Sequence, residues 1–566
     1  MLSDLAIAGK TKLARIDKIA RSAGIPAKYV EILGTYKAKI SLDFLKDNAG
    51  RRRKGRATKY IIVSAITPGP LGEGKTVTTI GLSMALNRIG RRSIVSLRQP
   101  SMGPTFGRKG GGTGGGYSQV MPRGDINLHF TGDTHAVGIA HNLLAAFMDN
   151  SLFRDNPLGI DPATISWPRA IDINDRSLRD IRIGLDEKKK GYSRETGFEI
   201  IAASELMAIL ALSEDILDMR RRLDKIVVAF ARSGRPVTAG DLKVSGAMAA
   251  LLKEALKPNL VQTIERTPCF IHTGPFANIA HGNSSIIADK MAFGLSDYVV
   301  TESGFGADLG GEKFFDIKCR ASGLKPNAAV LVCTVRSLKM HSGRFAAGSE
   351  AHKRLFTEDL DALGEGLANL EKQIGNIRRF DVPLVVAINR FNTDTEREIA
   401  LVKKKALFAG ANDAITSDLW QKGSQGGLKL AEAVIRASES RAKFNFLYPL
   451  NISIKEKIAK VGHVMYGADK ISYSSIAERK ILRYEKLGYS KLPVCIAKTH
   501  LSLSADPFVK GAPRGFTLPV KDVYLAAGAG FVTVMCGAIN TMPGLPAKPI
   551  GERIDIDKRG NIVGLA

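Results

Sequence analysis

The sequence predicts an α/β protein: a large P-loop domain with a mostly parallel sheet flanked by helices, plus two smaller α/β domains. Two observations carry this. Short apolar runs rich in Ile and Val, "YIIVSAI", "RSIVSL", "KIVVAF", "DYVVTE", "AAVLVCTV" and "VPLVVAIN", each precede a polar, helix-like segment, the alternation of a parallel sheet covered on both faces. The texture then changes after about residue 360, which places domain boundaries at 1–360, 361–454 and 455–566. A chain of 566 residues, 44% of them hydrophobic, suffices for several cores, since single cores seldom outgrow about 250–300 residues.

Taken in order, "MLSDLAIAGKTKLARIDKIARSAG" lacks the apolar centre of a signal peptide and carries Asp4 and Asp17; it is expected to form a helix. "RRRKGR", residues 51–56, immediately precedes a strand and reads as a solvated loop. Residues 182–200 read as a charged hairpin ahead of the helix "AASELMAILALSEDILDMRRRL". After "GEGLANLEKQIGNIRRF" come a strand and long helical segments. Residues 523–547 are uncharged and long enough to span a bilayer, but they mix Gly, Asn, Thr and Pro, which favours a buried strand and a tight turn. No membrane partner is expected.

The chain holds 82 Lys and Arg against 55 Asp and Glu, a formal charge of +27, which attracts polyanions without specifying a fold. A basic nucleic-acid-binding ATPase would rest on this charge alone, because the basic run lacks interleaved aromatics and no nucleic-acid module is recognisable. No nucleic-acid partner is expected. Five cysteines lie scattered without CxxC spacing, arguing against a disulfide framework or zinc site and for a reducing cytoplasm. His129, His135 and His141 are spaced by six residues and read as structural rather than metal-binding.

"GPLGEGKT" satisfies the phosphate-loop pattern with Gly69, Pro70, Leu71, Gly72, Glu73, Gly74, Lys75 and Thr76, between an apolar strand and the helical "VTTIGLSMAL". Glycines let backbone N–H groups turn toward phosphate oxygens, and the helix start adds favourable partial charge. Lys75 is expected to bridge the terminal phosphates of ATP and Thr76 to ligate magnesium. "AINRFNTD" loosely resembles the guanine reader N-K-x-D, but Arg390 stands where Lys is required, which disfavours a GTPase. "LRQPSMGPTFGRKGGGTGGGYSQV" begins at a strand end, where Arg98 offers a planar fork for a carboxylate or acyl phosphate, and continues as a loop whose small residues admit close approach of backbone to ligand.

These two blocks, with "DINLHFTGD", "FIHTGPFANIAHGNSS", "GFGADLGGEKFFDIKCR", "VAINRF", "PVCIAKT" and "TMPGLP" in that order, resemble formate–tetrahydrofolate ligase along the whole chain. The resemblance implies ATP-dependent ligation of formate to tetrahydrofolate through formyl phosphate. Residues 1–360 then hold nucleotide and formate, 361–454 the folate side, and the assembly is a homotetramer. It further implies Lys75 and Arg98 as catalytic residues, Phe391 and Trp420 on the two faces of the pterin, and Phe305, Asp308 and Lys313 on the nucleotide side or in the cleft. Lys and Arg around that cleft are expected to attract the glutamate tail of the folate.

Four positions depart from the family pattern by losing an acid: Gln99, Gly124, Gln425 and Ala538. The family's carboxylate at Gln99, with the one resembling Asp133, is associated with a monovalent cation near the subunit contact. An amide oxygen offers only a dipole, so weaker dependence on potassium or ammonium, or weaker assembly, is expected. The four losses also suggest an alternative: a relative that binds nucleotide and folate with little turnover.

Overall fold

The computed structural model describes residues 3–48, 57–69, 72–109, 111–185, 192–277, 279–345, 354–440, 442–558, 560 and 562–565. Pro70, Leu71 and the basic run at 51–56 lie outside them. A twelve-stranded sheet dominates, built from β1 (Val30–Ile32), β2 (Ala38–Ile40), β3 (Lys59–Ala65), β4 (Ser93–Leu97), β5 (Gly114–Gly115), β6 (Ser118–Met121), β7 (Asn259–Thr263), β8 (Pro268–Ile271), β9 (Tyr298–Glu302), β10 (Ala328–Cys333), β11 (Leu384–Asn389) and β12 (Asp413–Ser417). The spatial order is β1-β2-β7-β8-β4-β9-β3-β10-β11-β12, with β6 joining β7 and β5. From β8 to β12 every neighbour is parallel.

Successive side chains on a strand face opposite ways, and here both faces are apolar. Ile61, Val63, Val330, Val332, Val385 and Ala387 pack under the helices Lys75–Arg88 and Leu428–Glu439. Ile62, Leu331, Val386 and Ile388 belong to the larger core that includes Leu363, Leu367 and Ile374 of the helix Leu360–Arg378. The continuous Val/Ile runs are the sequence form of a sheet covered on both sides.

One expected strand lies elsewhere. "KIVVAF" forms Val227–Phe230, which pairs antiparallel with Pro236–Thr238 outside the main sheet. Its partner follows after only a short turn, whereas a parallel neighbour needs a crossover of about a dozen residues. The expected N-terminal helix is two helices, Asp4–Lys10 and Ile16–Ala23. Between them Gln262 holds the backbone of Ala14 at both N–H and carbonyl, at 3.0 and 2.7 Å, and a helix cannot supply that extended segment. The long helix after residue 200 is likewise split, because Asp215 caps a new helix, Ile216–Asp224, through the Asp218 amide at 2.7 Å. The flanks of the charged hairpin pair as Ile181–Ile183 with Arg194–Thr196.

The main sheet crosses residue 360, since β11 and β12 extend it beyond β10. Residues after 455 build a separate four-stranded sheet, β13 (Lys470–Tyr473), β14 (Val494–Ala497), β15 (Thr517–Ala526) and β16 (Phe531–Cys536), in the order β13-β15-β16-β14. The strand expected near residue 531 is fully buried. No helix among the described residues is long and apolar enough to cross a membrane.

Candidate active site at the ends of the parallel strands

Strands β4, β9, β3 and β10 lie side by side, so the segments leaving their C-terminal ends meet above one edge of the sheet, the usual ligand position in open α/β sheets. After β3 the chain enters the phosphate loop, whose last residue, Gly74, takes a left-handed φ of 75° and caps the helix Lys75–Arg88. A Cβ at Gly74 would lie 2.7 Å from the Asn389 amide nitrogen. That nitrogen donates to the Glu73 carbonyl at 2.8 Å, so the end of β11 holds the loop from outside.

Glu73 itself, expected among the ATP-binding residues, points inward and is buried. Its carboxylate accepts from the Gly69 amide at 2.9 Å, the Ser337 hydroxyl at 2.6 Å and the Thr334 hydroxyl at 3.1 Å. Burial raises its pKa above the ordinary carboxylate range, against the opposing pull of these bonds and of Lys75. The side chain therefore shapes the loop and leaves the backbone to face a ligand.

Thr76 donates its hydroxyl to Glu302 Oε2 at 2.8 Å. Glu302 closes β9 and also acts on Arg98, whose guanidinium is lowered from its usual pKa by burial while the Glu302 charge opposes. Arg98 donates to the Pro275 carbonyl at 3.1 Å, and a Cβ at Gly304 would come within 3.2 Å of both its terminal nitrogens. Thr76, Glu302 and Arg98 thus form a line across the ends of β3, β9 and β4. Glu302 was missed by sequence reasoning; the available signal was an acid ending the run "DYVVTE". A hydroxyl beside a carboxylate at the mouth of a phosphate loop is a hard-oxygen donor set that suits magnesium.

The glycine loop packs on Trp420. Tyr117 N donates to the Trp420 carbonyl at 2.8 Å, and a Cβ at Gly115 would lie 3.1 Å from the Trp420 indole nitrogen. Phe391, after β11, carries the Arg336 guanidinium over its ring at 3.6 Å. Gln421 donates to Asn392 at 2.7 Å, tying the two aromatic segments together. A groove of about 580 Å³ adjoins them, lined by Lys10, Lys12, Tyr117, Arg266 and Lys422 among others.

The remaining expected residues serve other contacts. Asp133 is buried, with one oxygen 2.7 Å from Lys39 Nζ and the other 2.7 Å from the Asn259 amide. Gln99 Nε2 donates to the neighbouring Thr134 hydroxyl at 3.2 Å. Gln425 and Ala538 are exposed. Phe305 has a left-handed φ of 59° and stacks on His500 with centroids 4.2 Å apart. Asp308 accepts from Gln373 at 2.7 Å and pairs with Lys498 at 3.0 Å, and Lys313 donates to the Ala277 carbonyl at 2.5 Å; both side chains are buried braces between segments. His141 is buried and stacked on Trp167, with both ring nitrogens at 2.8 Å from Ser204 and Pro168.

Comparison with known proteins gives the family. A family model described as formate–tetrahydrofolate ligase matches residues 2–566. A relative of that name from Desulforamulus reducens is 54% identical over 566 residues, covering 100% of this chain and 99% of its own. Those from Roseiflexus sp. and Saccharopolyspora erythraea are 54% and 52% identical, over 100% of this chain and 100% and 99% of their own.

Proposed function

Because the chain belongs to the formate–tetrahydrofolate ligase family and is an enzyme of that activity, we propose that it forms its product in two steps in the strand-end site. A formate oxygen attacks the γ-phosphorus of ATP, releasing ADP and giving formyl phosphate. The N10 amine of tetrahydrofolate then attacks the formyl carbon; the carbon–oxygen bond to phosphate breaks, phosphate departs, and N10 loses its proton.

The observation that supports this most is the line Thr76–Glu302–Arg98, which joins the phosphate loop to a largely enclosed guanidinium suited to a small carboxylate. Loop amides and Lys75 hold the triphosphate, and Arg98 holds formate in line and offsets charge on the transferring group. Thr76 and Glu302 would hold magnesium, which screens the phosphate oxygens when bound. The glycine loop lying on Trp420 shields the mixed anhydride from water. On the folate side, Phe391 and Trp420 supply flat apolar surface for the pterin. The Lys10, Lys12, Arg266 and Lys422 groove beside Trp420 suits the carboxylates of the glutamate tail. Assembly as a homotetramer and a cytoplasmic location belong to the same reading.

No observation favours the alternative of a relative that binds without turnover. The test is formate-dependent ADP release in the presence of tetrahydrofolate. Lys75→Ala should reduce it by roughly 100-fold or more while the unfolding temperature stays within a few degrees. Undiminished release in that variant, or none from the unchanged protein, would refute the proposal.

A further inference from the structure

The segment after β8 runs beside Arg98. His272 N donates to the Leu97 carbonyl at 3.1 Å and Gln99 N to the Thr273 carbonyl at 2.6 Å, so residues 272–276 run beside 97–99. The chain then turns back: Ala280 N donates to the Phe276 carbonyl at 2.8 Å, and the Gly282 carbonyl accepts from Gly304 N at 2.9 Å. Gly304 is the residue whose absent Cβ admits the Arg98 guanidinium. Between these anchors, on the same segment, sits His281.

His281 is fully buried, yet neither ring nitrogen has a hydrogen-bond partner among the described residues. The Thr273 hydroxyl and Arg98 Nε are likewise buried and unmatched. His141, His272 and His341, equally enclosed, have their rings bonded on both sides. Leaving a buried polar group unsatisfied costs about 1–3 kcal/mol, and two such side chains beside a guanidinium whose own Nε is unmatched mark a surface shaped for a polar occupant. Burial first, then the charges of Lys318, Lys313, Arg98 and Arg222, push the His281 pKa well below 6.5, so the ring is neutral with one N–H to donate. The charges that act on the ring are positive, which favours an anion. A Cβ at Gly282 or Gly304 would lie 2.2 or 2.5 Å from the Ala277 methyl, so the backbone here runs close to that side chain.

We propose that His281 is a second direct contact for the one-carbon acid: a ring N–H donates to the formate oxygen that Arg98 holds, with the Thr273 hydroxyl as a further donor. The inference rests on the ligase reading above and adds residues to it. Formate is then clamped from two elements, the ends of β4 and β8, and the same donors remain on the acyl oxygen through phosphorylation.

The test uses the full chain with His281→Ala and His281→Gln, the latter keeping an N–H donor. In steady-state assays the alanine variant should raise the formate KM about tenfold or more, with the KM values for ATP and tetrahydrofolate within twofold and the unfolding temperature within a few degrees; glutamine should recover part of the loss. An unchanged formate KM in folded His281→Ala overturns the proposal. So does a common rise in all three constants that glutamine does not relieve, which would mean core packing. If the unchanged protein shows no turnover, the ligase mechanism fails separately, and line broadening of carbon-13 formate by protein loaded with a non-hydrolysable ATP analogue and magnesium decides the inference. Broadening by the unchanged protein that is lost in His281→Ala supports it; equal broadening by both, or by neither, overturns it.

Discussion

Glu73 and Asp133 show how single side chains here replace what the motifs led one to expect. Glu73 lies inside a phosphate-loop motif, yet it clips the loop to Thr334 and Ser337 at the end of β10. Removing three hydrogen bonds to a buried carboxylate should cost about 2 kcal/mol or more. We expect Glu73→Ala to lower the unfolding free energy by that order and to raise the KM for ATP, and Glu73→Gln, which keeps an acceptor, to lose less; equal denaturant midpoints for the alanine variant and the unchanged protein would refute the clip. At Asp133 the carboxylate already faces an ammonium, that of Lys39 at 2.7 Å, with both groups buried. An added monovalent cation would compete with a charge tethered in place. Activity at constant ionic strength should therefore change less than twofold when potassium or ammonium replaces a large organic cation, and strong activation would sink this reading. Neither contact was legible in the sequence, because the partners are more than 90 and 260 residues away.

At the scale of elements, what could be read were runs whose period and length do not depend on partners: β3, β4, β9, β10 and β11 are apolar on both faces and came out as strands in one sheet. β12, "DAITS", is short and polar, and β7 and β8 form an antiparallel pair at the far side of the sheet, so neither bore the parallel signature. The boundary expected at residue 360 rested on a change of texture, which cannot reveal that β11 and β12 hydrogen-bond to what precedes them. The phosphate loop was legible because its residues are contiguous; the line to Arg98 was half legible, since Glu302 comes from a distant strand. The glycine loop offers the element's own test. Gly116 has φ 55°, and a Cβ there would fall onto the Trp420 carbonyl oxygen. Gly116→Ala must move the loop or the helical turn Leu419–Lys422, at about 1–3 kcal/mol. The tetrahydrofolate KM should rise several-fold with the ATP KM nearly unchanged, and a variant with unaltered folate kinetics would show that Trp420 does not depend on the loop.

For the whole molecule, three buried histidines couple distant segments, and each makes the fold more sensitive to acid. His141 bridges Pro168 and Ser204, His272 bridges Ala255 and Ser285, and His341 joins the Thr67 carbonyl beside the phosphate loop to Gly511 N in the C-terminal segment. His341 accepts from Gly511 N with one nitrogen and faces the Thr67 carbonyl with the other, which only the neutral form can do. Burial, as the leading cause, lowers each pKa from 6.5 to about 4. Asp133 opposes this at His272, where Lys39 adds to it, and Asp308 opposes it at His341, where Lys510 adds to it. Between pH 6.5 and about 4 the unfolded chain binds protons that the folded chain refuses, so stability is complete above the upper limit and falls as pH drops through the window. One such group contributes a slope of up to about 1.4 kcal/mol per pH unit, and three contribute about 4. Buried Glu199, Glu205 and Asp316, raised chiefly by burial to about 8, 7 and 6, act with the opposite sign in the same window, so the histidine share is read as the difference in urea midpoint between the unchanged protein and a histidine variant from pH 6.5 to pH 4. His341→Gln, which keeps the donor to Thr67 but cannot be protonated, should lessen the loss of stability in that window by up to about 1.4 kcal/mol per pH unit relative to the unchanged protein. An acid limb as steep in the variant as in the unchanged protein would mean that the contact between the phosphate-loop segment and the C-terminal segment does not govern acid unfolding.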